Sequence, residues 1–383
     1  MTEKRGQLEG NPQQAAKGQT LRWQPLLPHL LRVNAAARRS GQTRFTALLH
    51  HVDVEALRRA LKRQRRAASP GVDRVTVDEY EQNLEENLRR LHERVHSGQY
   101  WPKPVLRAYI PKADGGKRGL GLPSLEDKIV QSAVAEVLNA IYEADFYGFS
   151  YGFRPGRSPH RALASLDEAL MTQRVSWVLD FDVQTFFDSL DHEWLVRMLE
   201  HRIADRRIIR LIKRWLKAGI LESGEWRAVE TGSPQGSGIS PLLANVFLHY
   251  AFDAWISQWR KRYARGKVVV VRYADDAVIG AEYEGDARRL LVALRERLAK
   301  FGLALNEGKT RLIEFGRFAA ERREKAGLRR PETFNFLGFT HYCGTTRSGK
   351  FMVKRKTQAT RMARKLKELR VELRKRWHAK VPE

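Results

Sequence analysis

The chain predicts an α+β fold, and three observations carry that expectation. Helical and extended segments are interspersed without the regular strand–helix–strand alternation of a parallel sheet. A hairpin of two β-branched runs, Val268-Val269-Val270-Val271 and Ala277-Val278-Ile279, surrounds Asp275 and Asp276. Helices with one apolar stripe recur along the chain, most clearly over residues 125–143. At 383 residues the chain is long enough for two or three subdomains around a large core.

In chain order, residues 1–20 are polar, lack a signal-peptide pattern and are expected to be disordered. A short apolar stretch runs from Leu21 to Val33, and residues 52–67 read as a basic helix that stops before the turn at Ser69-Pro70-Gly71-Val72-Asp73. Tyr80, Leu84, Leu88, Leu91 and Val95 fall at helical spacing over 78–97, a helix that Ser97-Gly98 ends. An extended segment from Tyr100 to Pro111 leads to a hairpin tip rich in glycine and cations, with Lys112, Lys117 and Arg118. Residues 175–183 alternate as a strand: Trp177, Leu179 and Phe181 face one way, Val178, Asp180 and Asp182 the other. Helices are predicted at 192–201 and 206–217. A glycine-rich loop, Gly232 to Gly238, then opens an apolar helix from Pro241 to about Trp255. The acidic hairpin is followed by a helix at 285–301, strands near 311–315, 334–339 and 350–354, and a basic amphipathic helix over 358–378.

The balance of 70 Lys and Arg against 44 Asp and Glu, a net charge of +26, favours a polyanionic partner. No apolar run reaches the ~20 residues that span a bilayer, so nucleic acid is preferred over a membrane. The lone Cys343 excludes an internal disulfide and fits a reducing, cytoplasmic setting.

Two motifs mislead. His92-Glu93-Arg94-Val95-His96 matches a zinc-protease helix, but no third ligand stands at a useful spacing and the helix ends one residue later. Gly302 to Thr310 resembles a phosphate loop. It has five residues between the glycines where four are required, and Leu303 and Leu305 alternate through it as in an extended segment.

The chemistry gathers around carboxylates. Two adjacent aspartates in a buried turn are costly unless a cation sits there, and Mg²⁺ takes such oxygen ligands. Two-metal phosphoryl transfer needs a further carboxylate. Asp182 and Asp180 both qualify from their strand face, whereas Asp188 and Asp191 follow too closely on the strand to place. The cations of the hairpin tip suit a triphosphate, since arginine grips phosphate oxygens in pairs and lysine adds a point charge.

These segments, taken in order, resemble the reverse transcriptases encoded by group II introns. The resemblance is carried by Ser69-Pro-Gly-Val-Asp73, Tyr109-Ile-Pro-Lys112, Arg118-Gly-Leu-Gly-Leu-Pro123, Phe149-Ser-Tyr-Gly-Phe-Arg-Pro-Gly-Arg157 and Asp182-Val-Gln-Thr-Phe-Phe-Asp188. It continues through Gly232-Ser-Pro-Gln-Gly236, Ile239-Ser-Pro-Leu-Leu-Ala-Asn245, Tyr273-Ala-Asp-Asp276, Leu305-Asn-Glu-Gly-Lys-Thr310 and Phe336-Leu-Gly-Phe339. It implies a right-hand polymerase with fingers over 46–174, palm over 175–340, and a palm exit with the start of a thumb over 341–383, after a basic N-terminal segment over 1–45.

The resemblance also assigns roles. It implies that Asp182, Asp275 and Asp276 hold two Mg²⁺ ions (Mn²⁺ being the alternative) and that Lys309 donates a proton to pyrophosphate. Lys112 and Arg118 would hold the incoming dNTP, Gln235 and Gly236 would line it, and the Phe187 ring would sit under its sugar and exclude a 2′-OH. Phe336 to Phe339 would grip the primer. The expected partners are an RNA template and a DNA or RNA primer. The sequence departs from the pattern in carrying Arg118-Gly119 for Arg-Pro and Arg74 for a common glycine, with a shortened thumb and no Cys/His nuclease cluster. The alternatives are a maturase-like RNA-binding cofactor of splicing without polymerase activity, and an RNA-templated RNA polymerase.

Overall fold

The computed structural model describes residues 27–111, 116–222, 224–228, 231–232 and 237–377. Lys112, Gln235, Gly236 and the segment 1–20 lie outside these residues, as do the side chains of Lys117 and Arg118.

The N-terminal third is helical: α1 (Pro28–Arg39), α2 (Val54–Lys62), α3 (Val77–Glu81) and α4 (Leu84–Ser97) precede the hairpin β1 (Val105–Pro111) and β2 (Lys117–Leu122). The single helix expected over 78–97 is two. A capping box at Thr76 and Glu79 starts α3, and Asn83, outside helical geometry, starts α4 afresh. Gly98 ends α4 in the left-handed conformation that glycine adopts without a steric cost. Arg74 also has a positive φ of 58°. Glycine's advantage at this position is therefore conformational, and arginine gives it up. Gly119 belongs to β2, paired with Tyr109.

Next come α5 (Leu125–Asp145), α6 (Pro159–Thr172), β3 (Trp177–Phe181), α7 (His192–Glu200), α8 (Arg206–Leu216) and a short hairpin, β4 (Ile220–Glu222) and β5 (Glu225–Arg227). Here α5 is buried almost all round, not on one face. Two of its buried polar side chains are satisfied internally: Asp127 accepts from the Ser124 hydroxyl at 2.7 Å and the Lys103 amide at 3.1 Å, and Gln131 Oε1 accepts from the Ser237 hydroxyl at 2.9 Å and the Gly238 amide at 3.1 Å. The sheet runs β2-β1-β4-β5. Its parallel pairing of Val105 with Ile220 joins the first hairpin to a segment more than a hundred residues on.

The second sheet holds the acidic hairpin. After α9 (Ser240–Leu248) and α10 (Ala254–Arg262), β6 (Val268–Tyr273), β7 (Asp276–Ala281) and β8 (Arg311–Glu314) join β3 in the order β6-β7-β3-β8, all antiparallel. The apolar helix expected from Pro241 to Trp255 is interrupted at His249–Asp253 by a π-helical turn. One sheet face packs Leu179, Phe181, Ala277 and Ile279 into the main core with α5, α9 and α11 (Glu284–Ala299). The other buries Val178, Val271 and Val278 against α6 and a third sheet of β9 (Phe334–Phe336), β10 (Phe339–Thr345) and β11 (Phe351–Thr357). The alternation read along 175–183 holds. A short α12 (Ala319–Lys325) precedes β9, and α13 (Ala359–Arg376) follows β11 with Met362, Leu366 and Leu373 exposed. No described helix is long and apolar enough to cross a membrane.

Candidate active site

Tyr273 pairs with Asp276, so Ala274 and Asp275 form a two-residue hairpin loop. Ala274 has a positive φ of 57°, an unusual conformation for a residue with a side chain. Its surroundings hold it there. A Cβ on Gly152 would lie 2.2 Å from the Ala274 amide nitrogen, so the 149–154 segment packs directly on the loop's backbone.

Arg272 braces the same loop from within. Only 1% exposed, it sends Nε to Asp253 Oδ1 at 2.7 Å and Nη2 to Ser150 Oγ at 2.7 Å. Its Nη1 donates to Asn245 Oδ1 at 3.1 Å and to the Ala274 carbonyl at 2.9 Å. Asn245 in turn donates to the Gly152 carbonyl at 2.7 Å. Asp253, fully buried, comes from the π-helical turn, a feature often found at functional sites. One guanidinium thus ties together the hairpin, the 150–152 segment and both ends of the interrupted helix.

The strand register brings the predicted carboxylates to one sheet end. Phe181 opposes Ala277, so the next residue on each strand, Asp182 and Asp276, extends the same pair of strands. Asp180 shares the face of Asp182 but engages Arg311 Nη2 at 3.4 Å, and burial raises its carboxyl above the usual range. Asp276 is pushed up to about 7, first by burial and then by the charges of Asp275, Asp180 and Asp182, with the Leu337 amide partly opposing. Leu337 and Gly338, at φ of 50° and 84°, form the two-residue turn between β9 and β10. The predicted primer-grip segment therefore touches the acidic hairpin, a contact its sequence did not announce.

Lys309 Nζ lies 2.9 Å from Asp182 Oδ2. Pairing puts it there: the Asn306 amide donates to the Asp182 carbonyl and the Gln184 amide to the Ala304 carbonyl, both at 2.8 Å, after which the Asn306–Thr310 turn folds back. Among the described residues no three His, Cys, Asp or Glu side chains form a closed ligand set for one ion. The donors nevertheless suit a hard divalent cation: they are carboxylate oxygens, and burial first, then the neighbouring carboxylates, push Asp276 up to about 7.

Phe187 is half-buried against the core and meets Phe186 edge-on at 5.4 Å. A Cβ on Gly232 would lie 2.9 Å from the Phe187 carbonyl oxygen, so the start of the glycine-rich loop sits on this turn. Of the misleading motifs, His92 stacks on His96 at 4.0 Å and His96 Nε2 engages the Val52 carbonyl at 3.0 Å, as structural histidines do.

Comparison with known proteins agrees with this arrangement. Residues 110–341, more than half the chain, match the family model described as reverse transcriptase (RNA-dependent DNA polymerase). Protein YkfC of Escherichia coli K12 is 40% identical over 204 residues, 52% of this chain and 52% of YkfC. The group II intron-encoded protein LtrA of Lactococcus lactis subsp. cremoris is 36% identical over 200 residues, 52% of this chain and 32% of LtrA. The chain thus spans about half and about a third of the lengths of these relatives. A mitochondrial nuclear intron maturase 1 of Arabidopsis thaliana is 30% identical over 95 residues, 25% of this chain and 13% of that protein. With the palm-like sheet, the acidic hairpin at its end and this match, the chain belongs to the reverse transcriptase family and has its right-hand polymerase fold.

Proposed function

We propose that the chain copies an RNA template into DNA, adding dNTPs to a primer 3′-OH in the manner of group II intron reverse transcriptases. The observation that carries this reading is the register of β3 against β7, which continues into Asp182 beside Asp276 at the end of the hairpin. Asp182, Asp275 and Asp276 would hold the divalent ions. Bound there, Mg²⁺, or Mn²⁺ in its place, lowers the pKa of an attacking hydroxyl and neutralises charge on departing pyrophosphate.

The chain's own groups do the rest. Lys309, beside Asp182, would give a proton to the leaving pyrophosphate. Lys112 and Arg118 would hold the triphosphate, and Gln235 and Gly236 would line the nucleotide. The Phe187 ring would sit under the sugar and exclude a 2′-OH. Fingers over 46–174, palm over 175–340 and the beginning of a thumb beyond are the corresponding subdomains, and the single cysteine suits a cytoplasmic setting.

Primer extension on an RNA template tests the proposal. Asp275→Asn is expected to abolish extension while leaving the melting temperature near that of the wild type. Retained extension by the purified variant overturns the assignment. Tight RNA binding by a wild-type chain that never extends a primer would favour the maturase-like reading instead.

A further inference from the structure

A groove of about 860 Å³ lies away from the acidic hairpin, between the 101–104 segment leading into β1 and one face of α8. None of its lining residues belongs to the sheet that carries Asp276. Arg206, Arg210, Lys213 and Lys217 line it at spacings of four, three and four residues, which places them along one helical face in a stripe about 16 Å long. Arg44 closes one end, held by the pairing of Phe45 with Ile203. The one carboxylate in the described lining, Glu200, is taken up by Lys213 at 3.7 Å.

Trp101 stands at the other wall, 68% exposed. The Arg214 guanidinium lies over its ring at 3.9 Å and is itself fixed by the Gly98 and Tyr100 carbonyls at 2.9 and 2.5 Å. One face of the indole is thereby backed by a rigid cation. At 68% exposure the indole keeps open aromatic surface, and it lines the same groove as the row of positive charges, together with the apolar Pro102 and Ile209. A stacking platform beside a cationic track is what a single strand of nucleic acid requires. An acidic peptide would use the cations but leave the indole idle.

We propose that this groove is a second nucleic-acid site, which holds a single-stranded stretch of RNA with a base stacked on Trp101 and its phosphates along α8. The choice of RNA rests on the RNA-copying reading, since an uncopied template is single-stranded RNA. The binding itself involves no extension, so the two readings fail separately.

The test uses the whole chain with its copying cleft filled by an unlabelled hairpin primer–template. A fluorescein-labelled, unstructured 12-nucleotide RNA is then titrated by anisotropy at several salt concentrations. One labelled RNA is expected to bind per chain. Trp101→Ala should weaken it about 10-fold, and Trp101→Phe, which keeps a ring, should restore most of the loss. Arg206→Gln with Arg210→Gln should lower the log–log salt slope by about 1.4. Extension of the hairpin across a short overhang should be unchanged in each variant. The proposal is overturned if the labelled RNA fails to bind once the hairpin is present, or if Trp101→Ala leaves its affinity unchanged. It is equally overturned if a DNA 12-mer binds more tightly than the RNA, or if polyglutamate binds more tightly in a Trp101-dependent way.

Discussion

Replacing Arg272 by methionine separates two roles that one side chain plays. The variant leaves Asp253, fully buried, as an uncompensated charge and strips partners from Ser150, Asn245 and the Ala274 carbonyl. Breaking a buried ion pair in this way costs about 3–5 kcal/mol, which lowers the melting temperature of a chain this size by about 5 °C. The second effect is positional. Without the bond from Nη1 to the Ala274 carbonyl, the left-handed residue of the hairpin loop loses the tether that holds Asp275 and Asp276 in place. A displacement near 1 Å in such a constellation lowers turnover about 100-fold. The double variant Arg272→Met with Asp253→Leu distinguishes the two. Removing both charges should recover most of the stability, because an apolar pair tolerates the core, yet primer extension should stay depressed, because the tether is still missing. Thermal melts and kcat on one RNA template read both effects. If extension returns together with stability, or if Arg272→Met melts lower but turns over normally, the loop is not positioned by Arg272 and the reasoning fails.

Two further outcomes follow from other parts of the molecule. Phe187→Val should raise the ratio of rNTP to dNTP incorporation, and an unchanged ratio removes the ring from sugar selection. Asp205, 2% exposed, starts α8 and caps the segment before α2. Burial works against its charge, but Arg207 and the amides of Leu48, Leu49 and Arg207 outweigh it and hold the carboxyl down to about 2. Its folded value lies below the unfolded one, so its stabilisation is present above pH ~4 and is lost as pH falls towards 2. Asp205→Asn should therefore cost about 2 kcal/mol at pH 7, with the difference from wild type shrinking through pH 4 to 3 in urea unfolding; a constant difference contradicts the assignment.

The acidic hairpin and the β3 strand were legible because period-two alternation and β-branched runs are local signals, and the local signal matched the packing. The bracing of the hairpin was not legible. Ser150, Asn245 and Asp253 meet Arg272 only through tertiary structure, and the one hint was an aspartate inside the apolar run from Pro241 to Trp255. The split between α3 and α4 escaped the pattern because Tyr80 and Leu84 keep helical spacing across the break at Asn83. The hairpin β4–β5 escaped because three-residue strands are too short for a period to show, whereas α6 was legible, since Leu163, Leu166 and Leu170 keep helical spacing after the start at Ser158-Pro159.

The parallel pairing of β1 with β4 has a mechanical meaning. The Val105 amide donates to the Gly219 carbonyl at 3.0 Å, two residues beyond the last cation of the α8 stripe. A tilt of the first hairpin would pull on the end of α8 through this bond. The 101–104 segment and the end of α8, the two walls of the groove, are thereby joined by backbone, so that their spacing at this end is set by the fold and not by side chains alone.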